Sequence, residues 1–163
     1  MIRPSWDEYF LMLAKFVSMR STCLAFPVGA VIVKNKQVLA TGYNGSPSGT
    51  AHCTEQGFCY PELKSCTESK VLPSRAVHAE ANAIAQAAKH GIATEGSRIY
   101  VTLEPCLNCM KLIISAGITE IYYEKSLNKT EDSVRESFKN LVKLRQIVID
   151  QEIKEIVSEF IAP

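Results

Sequence analysis

Residues 78–124 read "HAEANAIAQAAKHGIATEGSRIYVTLEPCLNCMKLIISAGITEIYYE". The alanine-rich run from Ala79 predicts a helix stopped by Gly91. "SRIYVTL" (97–103) predicts a strand, being β-branched and aromatic. "CLNCMKLIISAG" predicts a helix ended by Gly117, and "ITEIYYE" a further strand. Helices alternating with strands imply a layered α/β domain with helices on both faces of a mixed sheet.

Working outward, "VGAVIVKNKQVLATGYN" predicts a hairpin, with strands at 28–33 and about 37–42 around a Lys-Asn-Lys turn. Before it, "SWDEYFLMLAKFVSMR" (5–20) predicts a helix capped by Ser5, with acids in its first turn. Tyr9, Phe10, Leu13, Phe16 and Val17 recur at helical spacing and are expected in the core. Towards the end, the pattern predicts a helix within 130–144, a short strand at 145–149 and a closing helix over 150–161. Residues 1–163 show neither linker nor repeat and are expected to form one domain.

Composition limits the partners. Hydrophobic residues make up 47%, charged residues 21%, and the net charge is +1 without a basic block. That balance gives no support for binding long nucleic acid. No apolar run approaches the roughly 20 residues needed to span a bilayer. The first segment carries acids within its apolar stretch, unlike a signal peptide. A soluble, cytoplasmic chain without membrane partners is expected, in which the six cysteines act as metal ligands or thiols rather than disulfides.

Cys106 and Cys109 stand three apart at a predicted helix start, after Pro105. That spacing turns both sulfurs toward one point, and a helix N-terminus favours thiolates. His78 supplies a third ligand from the start of another helix. Three protein ligands on zinc leave a fourth position for water, whose pKa the metal lowers towards about 7. Glu80, two residues past His78, is suited to carry protons beside the metal. Taken alone, His78 reads as a cap and the cysteine pair as a redox motif. Their combination, with Cys106 26 positions after Glu80, matches the zinc deaminase signature.

These residues resemble the cytidine and deoxycytidylate deaminase superfamily, most closely its deoxycytidylate (dCMP) deaminases. The likeness rests on "VGAVIV" (28–33), "GYNGSPSG" (42–49), "HC" at 52, "HAEANAI" (78–84) and "VTLEPCLNC" (101–109). The resemblance implies a three-layer α/β/α sandwich with a mixed five-stranded sheet. It further implies zinc-dependent hydrolysis of dCMP to dUMP and ammonia, which supplies dUMP for thymidylate synthesis, with Glu80 shuttling protons. Asn44 is then expected at the sugar and the backbone near Ala79 at the base edge, with Tyr123 on the base or near the sugar. Asn44 also reads as a left-handed turn residue, and Tyr123 as a half-buried strand aromatic. Lys125 and Arg20 are candidates for the 5′-phosphate, and Gly45 and Arg20 for an effector.

Cys23, Cys53, Cys59 and Cys66 remain, with His52 beside Cys53. By resemblance they hold a second, structural zinc that orders a Cys-rich insert at about 50–75, His52 being the alternative ligand. A polar loop of that length buries little apolar surface, so metal coordination would offset its chain entropy. The resemblance also implies a homo-oligomer, specifically a hexamer, activated by dCTP and inhibited by dTTP. The competing readings are a zinc deaminase of free cytosine, guanine or transfer RNA adenosine, and a non-catalytic zinc-binding interaction module.

Overall fold

The computed structural model describes residues 3–60, 74–126, 136–138 and 140–162. The elements are α1 (Trp6–Ser18), β1 (Gly29–Lys34), β2 (Gln37–Tyr43), α2 (Cys53–Gln56), α3 (Ala79–Lys89), β3 (Arg98–Leu103), α4 (Leu107–Ser115), β4 (Glu120–Lys125), β5 (Lys143–Gln146) and α5 (Gln151–Ile161). The five strands form one mixed sheet in the order β2-β1-β3-β4-β5. β1 is antiparallel to both β2 and β3, whereas β3, β4 and β5 run parallel.

Strand parity sorts the core into two layers. Ile32, Val101 and Ile121 point to the face covered by α3 and α4, packing with Ala79, Ala83, Met110 and Ile113. Val31, Tyr100 and Tyr122 point to the other face, against Phe10, Leu11 and Ala14 of α1 and Ile153 of α5. The expected sandwich is therefore present. Each fully buried Val or Ile contributes about 1.5–3 kcal/mol. The surface pair Lys15–Glu124 contributes at most about 1 kcal/mol, so apolar packing sets the layering.

Two glycines let the helices approach the hairpin. A Cβ on Gly29 would strike the backbone of Ala14 and Ser18, and one on Gly42 the backbone of Ala79 and Ala83. The second contact seats the first turn of α3 directly on β2. Between the strands, Asn35 and Lys36 take φ of 51° and 61°, the turn that matches the twist of a two-residue hairpin.

Some expectations shift. The Ser5 cap is present, closed as a capping box with Glu8. The buried stripe of α1, however, is Phe10, Leu11 and Ala14, while Tyr9 and Phe16 are 42% and 46% exposed. Small Ala14 faces the sheet because the bare Gly29 backbone comes up against it, which rotates the larger rings outward. β5 pairs earlier than expected, at Lys143–Gln146, and Ile149 instead turns into the α1–α5 layer. A short helix, α2, replaces loop after His52. Residues 130–135 and 139 of the helix expected within 130–144 lie outside the described residues, as does Cys66, and its last two residues, Lys143 and Leu144, belong to β5 instead, paired to β4. Among the described residues, no helix is long and apolar enough to cross a membrane.

Candidate metal centre

β3 delivers the chain through Glu104 and Pro105 to Cys106, the N-cap of α4, and Cys109 follows in that helix's first turn. His78 is the N-cap of α3. Neither Cys106 nor His78 uses its side chain to cap its helix, so both are directed elsewhere. They meet: His78 Nδ1 lies 3.6 Å from Cys106 Sγ and 3.4 Å from Cys109 Sγ. Tetrahedral zinc with ordinary Zn–N and Zn–S bonds requires a nitrogen–sulfur separation of about 3.6 Å. All three ligand atoms fall within 4.8 Å of one another, and no other such group of three exists among the described residues.

Two helix N-termini point their positive ends at this cluster, which favours anionic sulfur. The Cys106 thiol is held well below its ordinary value, first by the neighbouring Cys109 thiol and then by His78. Cys109 is pushed far up by the neighbouring Cys106, by burial and by Glu80. A bound cation would displace the thiol protons. Glu80, in the first turn of α3, is 4% exposed. Burial pushes its carboxyl above the ordinary glutamate value.

A cavity of about 460 Å³ opens onto the cluster. Its walls include His78, Glu80 and Cys106 with Ala79, Asn44, Cys23, Phe26 and Glu104. Asn44 is 7% exposed and knots the loop together: its Oδ1 accepts from Ser21 Oγ at 2.6 Å and Val28 N at 2.8 Å, and its Nδ2 donates to Phe26 O at 2.7 Å. One amide N–H of Asn44 remains beyond those three bonds. Only Asn35 and Lys36 among the described non-glycine residues have positive φ, so Asn44 is not the left-handed turn residue its sequence context suggests.

Gly45 is buried and exchanges both backbone hydrogen bonds with Val77, at 3.2 and 2.8 Å, tying the "GYNG" loop to the residue before His78. Its backbone polar groups are therefore spent internally. Tyr123 is half-buried on β4, on the α3–α4 side of the sheet by parity with Ile121. Lys125 and Arg20 are exposed. None of Tyr123, Lys125 and Arg20 is among the described residues that line the cavity.

The other cysteines do not converge in the same way. Cys23 Sγ accepts from Ala25 N at 3.4 Å, Cys53 Sγ contacts Ser46 Oγ at 3.6 Å, and Cys59 Sγ accepts from Arg75 N at 3.4 Å. No three of Cys23, His52, Cys53 and Cys59 bring their ligand atoms within 4.8 Å. His90 caps the C-terminal end of α3, as a basic residue there should. Glu104 is a cavity residue that sequence reasoning missed. The available signal was a carboxylate at a strand end, two residues before a metal ligand.

Residues 4–125 match the model of the cytidine and deoxycytidylate deaminase zinc-binding region. The chain belongs to this deaminase family. It is 40% identical over 157 residues to ComE operon protein 2 of Bacillus subtilis, covering 96% of this chain and 78% of that protein. It is 41% identical over 131 residues to the deoxycytidylate deaminase of Mycobacterium phage D29, covering 77% and 98% respectively. The crystal structure of dCMP deaminase from the cyanophage S-TIM5 in complex with dCMP and dUMP superposes with a TM-score of 0.70 at 29% identity, covering 90% of this chain and all of that one. Zinc is the metal of this family's domain, and one imidazole with two thiolates is a donor set that suits it.

Proposed function

We propose that this deaminase hydrolyses dCMP to dUMP and ammonia as a single catalytic domain over residues 1–163. The observation that carries the reading is a buried carboxylate, Glu80, lining the same cavity as His78 and Cys106, two of the three convergent ligands. A structural metal site has no use for such a group. The deoxycytidylate deaminases among the relatives supply the substrate class.

His78, Cys106 and Cys109 would hold zinc, which when bound supplies the Lewis acidity that brings proton loss from water into the neutral range. Glu80 accepts the first proton of the attacking water and delivers it to N3 of the pyrimidine, then takes the second from the new hydroxyl on C4 and passes it to the departing 4-amino group. The water oxygen bonds to C4, the C4–N4 bond breaks, and the charges balance without another reactant. The first turn of α3, at Ala79, lies along the base edge, and Asn44 offers its remaining N–H to the sugar. Tyr123, Lys125 and Arg20 serve the outer parts of the nucleotide, its phosphate or an effector.

A second, structural zinc in the 50–75 insert is supported by the buried thiols of Cys53 and Cys59 and by His52 Nδ1, which is buried without a hydrogen-bond partner. Cys23 and Cys66 complete that set. Regulation by dCTP and dTTP near Gly45 and Arg20 and hexameric assembly rest on family resemblance, and a cytoplasmic location on the composition of the chain. Glu80→Gln should keep its zinc by metal analysis and lose about 10²–10⁴-fold in turnover. Unchanged turnover would remove Glu80 from the mechanism. Parallel assays of dCMP, deoxycytidine, cytosine and dCTP fix the substrate class.

A further inference from the structure

Another cavity, of about 330 Å³, opens on the α1 side of the sheet, at the end remote from the metal centre. Trp6 of α1 walls it, together with Lys34, Lys36, Arg98 and Glu120. Arg98 begins β3, whereas Leu103 at the far end of that strand lines the cavity beside Glu80, roughly 16 Å away at about 3.3 Å per residue. Among the described residues, the two cavities share no lining side chain.

Charge in this second cavity is unbalanced. Three cations face one carboxylate among its described lining residues, and that carboxylate is engaged already. Glu120 accepts from Tyr122 Oη at 2.7 Å and lies 3.5 Å from the Arg98 guanidinium. Asp7, the acid behind the cavity, accepts from Tyr100 Oη at 2.7 Å. Both lysines have neutral partners. Lys34 Nζ donates to the backbone oxygen of Glu95 at 2.7 Å, and Lys36 Nζ stands 5.2 Å over the Trp6 ring. Neither ammonium is ion-paired among the described residues. Each has three donors, so both are positioned with binding capacity to spare. The hairpin turn adds a sign of purpose, because Lys36 takes φ of 61° where asparagine or glycine is the ordinary choice.

We propose that this cavity binds a polyphosphate chain, either free or carried by a nucleoside di- or triphosphate. Three cations against one carboxylate call for an anion of at least two charges. They come from three separate places, the end of β1, the hairpin turn and the start of β3, so the matching anion is extended, with a phosphoryl group for each. The proposal is independent of the reaction at Glu80.

Trp6 is the single tryptophan of the chain and lies in the cavity wall, so its fluorescence reports occupancy. Titrating the zinc-loaded enzyme with magnesium-free inorganic tripolyphosphate should give a saturable change, with Kd below about 1 mM at physiological ionic strength. Orthophosphate should bind at least about tenfold more weakly. An ATP arm separates the sources: tighter binding than tripolyphosphate indicates a nucleotide, equal or weaker binding the phosphate chain alone. By calorimetry, Lys34→Gln and Lys36→Gln should each raise the tripolyphosphate Kd by about tenfold or more, the range for a hydrogen bond to a charged group. Zinc content and turnover without the anion should match wild type in both. Should one variant fail to fold, the other decides. No saturable signal up to about 10 mM, or an affinity that the folded variants retain, overturns the proposal. So does competitive displacement by dCMP, which would place the anion beside Glu80. None of these results alters the reading of the metal centre, which is tested by Glu80→Gln.

Discussion

Two regions of this molecule carry cysteine and histidine, and they behave differently. Around α3 and α4, His78, Cys106 and Cys109 close on one point because each is attached to a helix start whose position the sheet dictates. Around α2, a helix of four residues, Cys53 and Cys59 bond to Ser46 and Arg75, and no three ligand atoms gather among the described residues. The contrast shows that ligand-type residues become a preorganised site when packed apolar layers hold their backbones. Where little apolar surface is available, order must come from coordination itself.

The largest effect should come from breaking the first region. Cys106→Ser or His78→Ala should release the catalytic zinc and lower kcat/KM by at least about 10³-fold, read by metal analysis and turnover. Retention of both metal and activity would dissolve the distinction. For the second region, total zinc should exceed a single ion per chain and fall by one in Cys53→Ser, with the catalytic ion retained. A single zinc per chain, indifferent to that substitution, would mean that this region binds none.

A smaller effect tests how the frame positions the first region. Gly42→Ala places a methyl against the α3 backbone at Ala79 and should cost about 1–3 kcal/mol in thermal or denaturant unfolding. It should also displace the start of α3, so zinc affinity should fall with stability. Unaltered affinity would mean that α3 is positioned without β2.

The smallest effect lies on the opposite face, remote from both regions. Glu8 accepts from Asp150 N, which chiefly holds its carboxyl below the ordinary value, and from Ser5. A depressed folded value adds stability above the usual glutamate range, and that contribution disappears as pH falls through the depressed value. Glu8→Gln should therefore lower Tm slightly near neutrality, with the difference from wild type vanishing in acid and zinc content unaffected. An equal difference at all pH values would remove the carboxylate's charge as its cause.

Much of the catalytic site was legible because it is local. His78-x-Glu80 and Cys106-x-x-Cys109 are short-range spacings at helix starts, and geometry within one helical turn nearly determines where such side chains point. Asn44 shows where that legibility stops. Its place before Gly45 suggested a turn conformation, yet its role comes from partners at Ser21, Phe26 and Val28, distant in sequence. Glu104 was visible as a residue but not as a cavity residue, since its orientation depends on Ser126 beyond the next strand. The rotation of α1 was illegible for a related reason: helical periodicity marks an apolar side, and only Gly29 decides that Ala14 sits at its centre.

By itself the sequence determined the alternation of helices and strands and singled out His78, Cys106 and Cys109, which converge, because periodicity, caps and short spacings act within a few residues. The tertiary structure alone decided the strand order β2-β1-β3-β4-β5, the convergence of two helix starts beyond β3, and the walls of the cavity. Those features depend on which apolar surfaces meet across the chain, a choice made by packing and close backbone approach rather than by any local preference.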